Sequence, residues 1–565
     1  MLEFKLLSLL LLTCLPDGFA APVQVPLQVP ATRQRRKLQG RFLHITDMHP
    51  DGHFQVDASE KSSCHRKKPR KAKRRSGYFG MPFSNCDAPF TLTNYTLDFL
   101  DKEWSSEIDF VVWTGDSARH DNDRKIPRTT AEIYGLNRAI TKRMEEVFTS
   151  KGIPVVPSIG NNDVWLQILR SDYIGPNSIT FEFSSIWRSF MPFESYQVFQ
   201  RGGYYSVEVI PDSLAVISLN TMYFYDSNKA VGGCEYTDPE DPGNLQFDWL
   251  EVQLDIFRRR GMQVWLTGHV PPSSNNFFPD CYVRYAELSL RYQDTILGHL
   301  YGHMNADHFF FMDAETISST SVPSLTDDPD EIDTLGRKKE LYDTLIRTFA
   351  DLPKGTKNIS YDDYGVVNVS PSVVPNPYLP SFRIFTYNIT GSQYIPKVQD
   401  EEEGALQASN SISLAGRAAS CNDSMHRNTW RCQLTQPWHS NPHSPSRSNN
   451  LWSPLGFAQY YLPDLEFGTA KRPPKYKLEY LTYQIAQLHP PEKKAGLKPY
   501  YPIPLRHLPK SLRDPNRTES KFAPYELADL TIPSWTELAQ RLGEQGEKKL
   551  RRRFRRYMFM GSVKA

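Results

Sequence analysis

Five times between Arg41 and Asn305 a short apolar run ends in a loop carrying Asp, Asn or His. The loops are ITDMH (Asp47, His49), WTGD (Asp116), IGNND (Asn161), TGHVPP (His269) and YGHMN (His303, Asn305). Helical segments separate them. Leu97 to Ser105 is one candidate, Ile133, Leu136, Ile140, Met144 and Val147 recur at helical spacing, and Leu245 to Arg260 reads as another. Strand–helix alternation of this kind predicts an α/β sheet with its ligand groups at strand C-terminal ends.

A single GD or GH is as a rule a turn beside a satisfied side chain. All five loops, each after an apolar strand, point instead to a metal centre. The first is the densest: GRFLHITDMHPDGHF packs Asp47, His49, Asp51 and His53 into seven residues.

With 565 residues, the chain has room for one large domain with insertions or for two to three ordinary ones. The charge is nearly balanced, 66 Lys and Arg against 64 Asp and Glu, but it is unevenly placed. RKKPRKAKRR (Arg66 to Arg75) carries eight basic residues in ten and KKLRRRFRR (Lys548 to Arg556) seven in nine, two anion-attracting segments in a neutral chain.

Residues 1–21 read as a signal peptide or an N-terminal signal-anchor. The apolar run Leu6 to Leu15 is short for a span of about 20 residues, which favours cleavage. Six sequons (Asn94, Asn358, Asn368, Asn388, Asn422, Asn516) fit a lumenal glycoprotein. Six cysteines remain beyond the leader, and their grouping pairs Cys64 with Cys86, Cys234 with Cys281 and Cys421 with Cys432, one of fifteen connectivities. Residues 22–39 read as a linker and 40–399 as the catalytic domain, with a basic insertion at 61–77. Residues 400–450 are a low-complexity insertion, poor in core-forming residues. Residues 451–565 form a Pro- and aromatic-rich C-terminal region with a basic tail, in which a strand or two and extended packing over the first domain are expected.

The five loops, in this order, resemble the motifs of the calcineurin-like metallophosphoesterases: DxH, GDxx(D/H), GNxD/E, GH and GHxH. The resemblance runs roughly from Arg41 to Asp307. It implies a β-sandwich flanked by helices (αββα), here with disordered insertions and a C-terminal extension. It also implies two divalent cations, with Mn, Mg, Co, Zn and Fe all open. Carried over by motif, Asp47 and His49 hold one metal, Asn161, His269 and His303 the other, and Asp116 bridges both. Two cations a few ångströms apart need a bridging carboxylate, with neutral His and Asn completing each sphere.

Two positions depart from the motifs. Asn305 stands where GHxH has its second His, with Asp307 and His308 as alternative ligands. Asn162 stands where many relatives carry the His that protonates the leaving group. The loop GDSARHDND offers His120 for that role, positioned as in the acid sphingomyelinase branch, with Arg119 beside it to stabilise developing charge. A phosphate leaving group is a much weaker base than an alkoxide, so Asn162 is expected to serve as a hydrogen-bond donor in phosphoanhydride cleavage.

The basic insertion lies between the first two metal motifs, near the site mouth. Arg66, Lys67, Lys68, Arg70, Lys71, Lys73, Arg74 and Arg75 suit a linear polyanion, against the readings of a solvated face, a nuclear signal or a processing site. Nucleic acid would call for stacking aromatics within the tract. Together with the leader, the GNND and GHMNADHF variants, YFGMPFSNCD and the Pro-rich C-terminal region, this insertion resembles the fungal vacuolar endopolyphosphatases. That resemblance implies internal cleavage of inorganic polyphosphate by a metal-bridged hydroxide. It also implies a place on the lumenal side of the vacuole, as a single-pass type II protein of the vacuolar membrane processed by vacuolar proteases. Two other readings stay open: a sphingomyelinase-like phosphodiesterase with an apolar site rim, and a non-catalytic module binding polyphosphate or anionic membrane.

Overall fold

The computed structural model describes residues 37–66, 74–164, 177–318, 334–355, 359–396, 428–434, 438–490 and 500–561. The leader, Lys67, Lys68, Arg70, Lys71, Lys73, Asn358, Cys421 and Asn422 lie outside the described residues. One compact unit begins at Gln39.

Its strands are β1 (Arg41–Ile45), β2 (Pro50–Asp51), β3 (Ala88–Pro89), β4 (Phe110–Trp113), β5 (Val155–Pro157), β6 (Tyr205–Ile210) and β7 (Leu214–Ser218). They continue with β8 (Gln263–Thr267), β9 (Ile296–Tyr301), β10 (His308–Asp313), β11 (Tyr364–Val369), β12 (Ser381–Tyr387), β13 (Pro454–Tyr461) and β14 (Lys477–Leu481). Two six-stranded sheets result, ordered β14-β13-β12-β1-β4-β5 and β10-β11-β9-β8-β7-β6. FVVW of β4, LAVIS of β7 and QVWLT of β8 are buried from end to end, as strands covered on both faces must be.

The sheets face each other through aromatic rings. Phe42 stacks on Phe110 at 4.6 Å and on Phe385 at 5.0 Å within the first sheet, and Trp265 of the second meets it edge-on at 5.2 Å. Offset and edge-on pairs add to what burial alone supplies. Helix Phe90–Glu103 lays Phe99 against Phe382 outside the first sheet. Helix Thr130–Val147 buries the five apolar residues that recur at helical spacing in the sequence. Helices Pro242–Arg259 and Pro279–Arg291 pack on the second sheet. This is the helix–sheet–sheet–helix sandwich the motifs imply.

β1, β4 and β5 run parallel, as do β7, β8, β9 and β11. The loops after β1, β4, β5, β8 and β9 therefore leave from strand C-terminal ends and can meet at one edge of the sandwich.

The C-terminal region differs from its reading as packing over a finished domain. β12 pairs antiparallel with β1, and β13 and β14 extend the same sheet. Arg41 Nε donates to the carbonyl of Pro502 at 2.7 Å, 461 residues away. Residues 438–450 also differ, because they are tied down rather than loose. Ser446 Oγ donates to the carbonyl of Gln293 at 2.6 Å and Arg447 Nη1 to its Oε1 at 3.0 Å, so short polar side chains satisfy groups just beyond a helix end.

Cys64–Cys86 and Cys234–Cys281 are disulfides, and Cys432 is disulfide-bonded. Asn94 and Asn516 are exposed, and Asn388 is half-buried. Asn368, by contrast, is buried in β11 and cannot carry a glycan in the folded chain. No helix among the described residues is long and apolar enough to cross a membrane.

Candidate metal centre

The five loops do converge, on a backbone bent to present side chains. Asp47 (φ 50°), His49 (φ 38°), Asp116 (φ 58°), His303 (φ 70°) and Asn305 (φ 54°) all lie in the left-handed region. For residues with a Cβ this costs on the order of 1 kcal/mol each, and it persists only where the surroundings over-determine it. Here Asp47 N donates to Gly115 O at 3.0 Å, and Met48 N and His49 N both donate to Asp116 O, which locks the first loop to the second. Two glycines leave room for the carboxylates. A Cβ on Gly160 would collide with Asp116 Oδ1, and one on Gly302 with Thr46 Oγ1 and Asp47 Oδ2.

Asp116 sits between two histidines, its Oδ2 3.3 Å from His49 Nε2 and 3.2 Å from His269 Nε2. Asp47 Oδ1 lies 3.5 Å from the same His49 nitrogen. On the other flank Asn161 Oδ1 is 2.9 Å from both His269 Nε2 and His303 Nδ1. Supporting bonds fix the ring orientations. His49 Nδ1 donates to Ala118 O and His269 Nδ1 to Thr114 O, each at 2.7 Å, so both turn Nε2 into the centre. Asn305 donates through Nδ2 to Asn376 O at 3.0 Å and leaves Oδ1 buried and unpartnered.

Burial opposes charge here, and the carboxylates overcome it. Burial would lower the His49 pKa, yet Asp116 and Asp47 hold it well above the ordinary value; His269 is likewise raised to about 9. Asp116 is held well below the carboxylate range because the two histidines outweigh its burial. His303, buried and facing His269, falls to about 4. Protons thus occupy the positions where two carboxylates demand positive charge. Asp47 Oδ1 and His49 Nε2 are nonetheless buried without a hydrogen-bond partner, at a cost of about 1–3 kcal/mol each. A cation between these atoms satisfies both, and Asp, His and Asn donors suit divalent first-row metals or Mg. The residues present fit a pair of cations.

His120, the residue expected to act on the leaving group, lies beside this cluster. His120 is partly exposed, its ring stacks on His49 at 4.0 Å, and its Nδ1 lies 2.7 Å from Asp87 Oδ1, leaving Nε2 for a substrate. Asp87 also accepts from His120 N at 2.7 Å. Asn162 N and Nδ2 donate to Asp116 Oδ1 and Oδ2 at 2.8 and 2.9 Å. Its amide is a hydrogen-bond donor, as expected, here to the central carboxylate.

Several other candidates stand apart. Arg119 is fully buried and spends its donors on Glu132, Ile126 O and His120 O, so it braces the loop instead of stabilising charge at the centre. His53 pairs with Glu132, and Asp51 with His65 at 2.7 Å, because by then the chain has turned into β2. Asp307 and His308 replace no ligand: Asp307 pairs with Arg383 between the sheets, and His308 Nδ1 donates to Ala306 O. Of the basic insertion's described residues, Arg66 is ion-paired to Asp123 at 2.6 Å, while Arg74 and Arg75 lie at the outer limit of pairing, 3.8 Å from Glu466 and 3.9 Å from Asp57.

Three residues escape a reading by motif. Asp87 follows the insertion, with no spacing to link it to His120. Asp163 accepts from the backbone N of Asp116, Ser117 and Gly160 at 2.7–3.0 Å, fastening two ligand loops together. Arg128 Nη1 donates to the carbonyls of Arg119 and Asn162 at 2.8 and 2.7 Å. The terminal D of GNND was the one available signal, for Asp163.

Known proteins resemble this arrangement in sequence. The family model described as calcineurin-like phosphoesterase matches residues 40–303. An endopolyphosphatase of Cryptococcus neoformans is 39% identical, over 95% of this chain and 93% of its own length. One of Schizosaccharomyces pombe is 30% identical over 90% and 84%, and one of Yarrowia lipolytica 36% identical over 63% and 57%.

Proposed function

Because the chain belongs to the endopolyphosphatase family of calcineurin-like phosphoesterases, we propose that the cluster around Asp116 is the two-cation centre with which it works. The chain is a hydrolase of phosphoanhydride bonds that shortens inorganic polyphosphate. When bound, two divalent cations neutralise phosphate charge and lower the pKa of water enough to supply a nucleophile near neutral pH.

The protein's own groups do the rest. Asp47, His49 and Asp116 would hold one cation, and Asp116, Asn161, His269 and His303 the other, with Asn305 Oδ1 available as a further donor. Asn162 and Asp163 hold Asp116 and its backbone in place. His120, oriented by Asp87, gives its Nε2 proton or a hydrogen bond to the departing phosphate oxygen. The basic insertion takes phosphates beyond the cleaved bond through Arg74 and Arg75, which are about half exposed; their ion pairs are long, and Arg74 also donates to Pro82 O at 2.8 Å.

The observation that carries this reading is the pair of buried, unpartnered donor atoms Asp47 Oδ1 and His49 Nε2. Disulfides and exposed sequons support a lumenal site of action, which we place in the vacuole, with residues 1–21 as a membrane anchor. The test incubates the full chain with long-chain polyphosphate and, separately, a sphingomyelin analogue, with chelator and after divalent-metal return. Fragments of intermediate length, lost with chelator and restored by metal, are the expected result. Preference for the lipid analogue, or binding of polyphosphate without shortening, overturns the reading.

A further inference from the structure

The second basic segment forms helix Lys548–Met558, docked beside the metal centre by its apolar face. Phe554 packs against Phe309 and Phe349, and Tyr557 lies on Tyr480 at 4.6 Å. At the helix end Met558 O accepts from Asp307 N at 3.0 Å, and Phe559 meets Tyr378 at 5.5 Å. Asp307 follows His303 by four residues, at most about 14 Å of extended chain. Asn376, two residues before Tyr378, accepts from Asn305. The last turn of this helix therefore reaches the rim of the centre.

Its other face is uniformly cationic. Lys548, Arg552 and Arg556 are exposed and succeed one another at i, i+4 and i+8, a stripe about 12 Å long. None of the three has an ion-pair partner among the described residues. Like charges at i, i+4 destabilise a helix, so the stripe opposes the fold that carries it until an anion lies along it. Nothing in the packing calls for those charges, because Leu550, Phe554, Tyr557 and Met558 alone make the buried face.

The two basic segments also approach each other. Arg556 acts electrostatically on Tyr461, the last residue of β13, and on Glu479 of β14. The turn that follows β13 places Glu466 3.8 Å from Arg74 of the basic insertion. Segments nearly five hundred residues apart thus flank one turn on the metal side of the first sheet.

We propose that the Lys548–Arg552–Arg556 stripe is a second polyanion-binding surface, which holds a stretch of phosphate chain running from the metal centre along the helix. The proposal rests on polyphosphate as the substrate but not on its cleavage. Spaced positive charges on a rigid helix fit a flexible chain that carries a charge at every repeat, and binding of that kind releases counterions.

The test compares wild type with K548Q/R552Q/R556Q as full chains, with chelator present so that nothing is cut. It measures the Kd of long-chain polyphosphate and of tripolyphosphate across a salt series. The triple variant should bind long chains about tenfold more weakly, with a slope of log K against log salt shallower by about two, and should lose much less for tripolyphosphate. An unchanged long-chain Kd and slope overturns the proposal, as does an equal loss for both lengths. So does loss of binding to anionic phosphatidylserine vesicles with long-chain binding intact, which would assign the stripe to a lipid surface. Should the triple variant fail to fold, K548Q/R552Q gives the same reading at smaller amplitude, with slope shallower by about one. Wild-type cleavage is scored separately. Binding through the stripe without cleavage sinks the hydrolase reading alone, and cleavage with unchanged variant binding sinks the surface alone.

Discussion

The connection from β9 to β10 carries members of two buried charge clusters, and they are built in opposite ways. His303 and Asn305 belong to the candidate metal centre, where Asp47 Oδ1, His49 Nε2 and Asn305 Oδ1 make no hydrogen bond. Asp307, a few residues on, belongs to a network between the sheets in which each acceptor is met. Its Oδ1 pairs with Arg383, and its Oδ2 accepts from Gln459 at 3.0 Å and Tyr480 at 2.6 Å. Arg383 also donates to Gln459 Oε1 at 2.8 Å and Val369 O at 2.9 Å, and Gln459 to Glu479 at 2.8 Å. Buried charge alone does not mark a functional site. What sets the centre apart is that its unbonded atoms belong to carboxylate, imidazole and amide groups that converge from separate loops, whereas the closed network specifies packing.

The contrast breaks most sharply at Asp116. Replacing Asp116 by Ala should cut polyphosphate turnover at least about 10⁴-fold, roughly 5 kcal/mol of transition-state stabilisation, while thermal unfolding moves by only a few degrees. Metal analysis should find bound cation lost; near-wild-type turnover would refute the centre. The closed network should answer in the other currency. Arg383→Met leaves Asp307 buried without its cation and should cost about 3–5 kcal/mol in denaturant unfolding, with metal content retained. If that variant instead kept its stability and lost its metal, the two clusters would be one.

The next test lies within the centre. His120→Ala should lower kcat about 10²-fold without loss of metal, and Asp87→Asn should do less while shifting the alkaline limb of the pH–rate profile, where a proton donor is lost. Equal, pH-independent losses would make the pair structural. A further test concerns Glu479, whose pKa burial raises to about 8, with Asp307 adding to the rise and Gln459 and the nearby Arg side chains opposing it. Its unfolded value is near 4.3. Between the two the folded chain holds the extra proton, so the contribution is complete below about pH 4 and is lost as pH rises through about 8. Wild-type stability should fall relative to Glu479→Gln by up to about 1.4 kcal/mol per pH unit in that window. Parallel stability curves for the two proteins would rule out a buried neutral acid.

The residues that converge were legible in the sequence because each sits immediately after an apolar strand, where the fold class itself dictates convergence. It did not reach Asp87, Arg128 or the limits of Arg119, whose roles depend on how the insertion and the loop after β4 fold back on each other. Asp51 and His53 share the ligand residue types, but by then the chain has passed into β2 and the turn that follows it. Asn162 is expected from GNND to donate a hydrogen bond, and it does, but its acceptor Asp116 is not named by the motif. The C-terminal strands were legible as strands, yet no local pattern says that β13 and β14 join a sheet begun at Arg41. Pairing partners of that separation are a property of the whole chain.

That last pairing has a bearing on how the molecule is made. β1 is an inner strand whose antiparallel neighbour is β12, and Arg41 is not satisfied until Pro502 arrives. At about 5–20 residues per second, a ribosome needs roughly 25–90 s to deliver the 461 intervening residues. Until β12 emerges the apolar FLHI edge has only β4 for company, while Cys64–Cys86 and Cys234–Cys281 can already close. The nascent chain thus has local crosslinks long before it has a complete first sheet. Its need for protection during synthesis is greatest for its earliest strand, and removing the residues beyond 451 would leave β12 as an open edge rather than trim a tail.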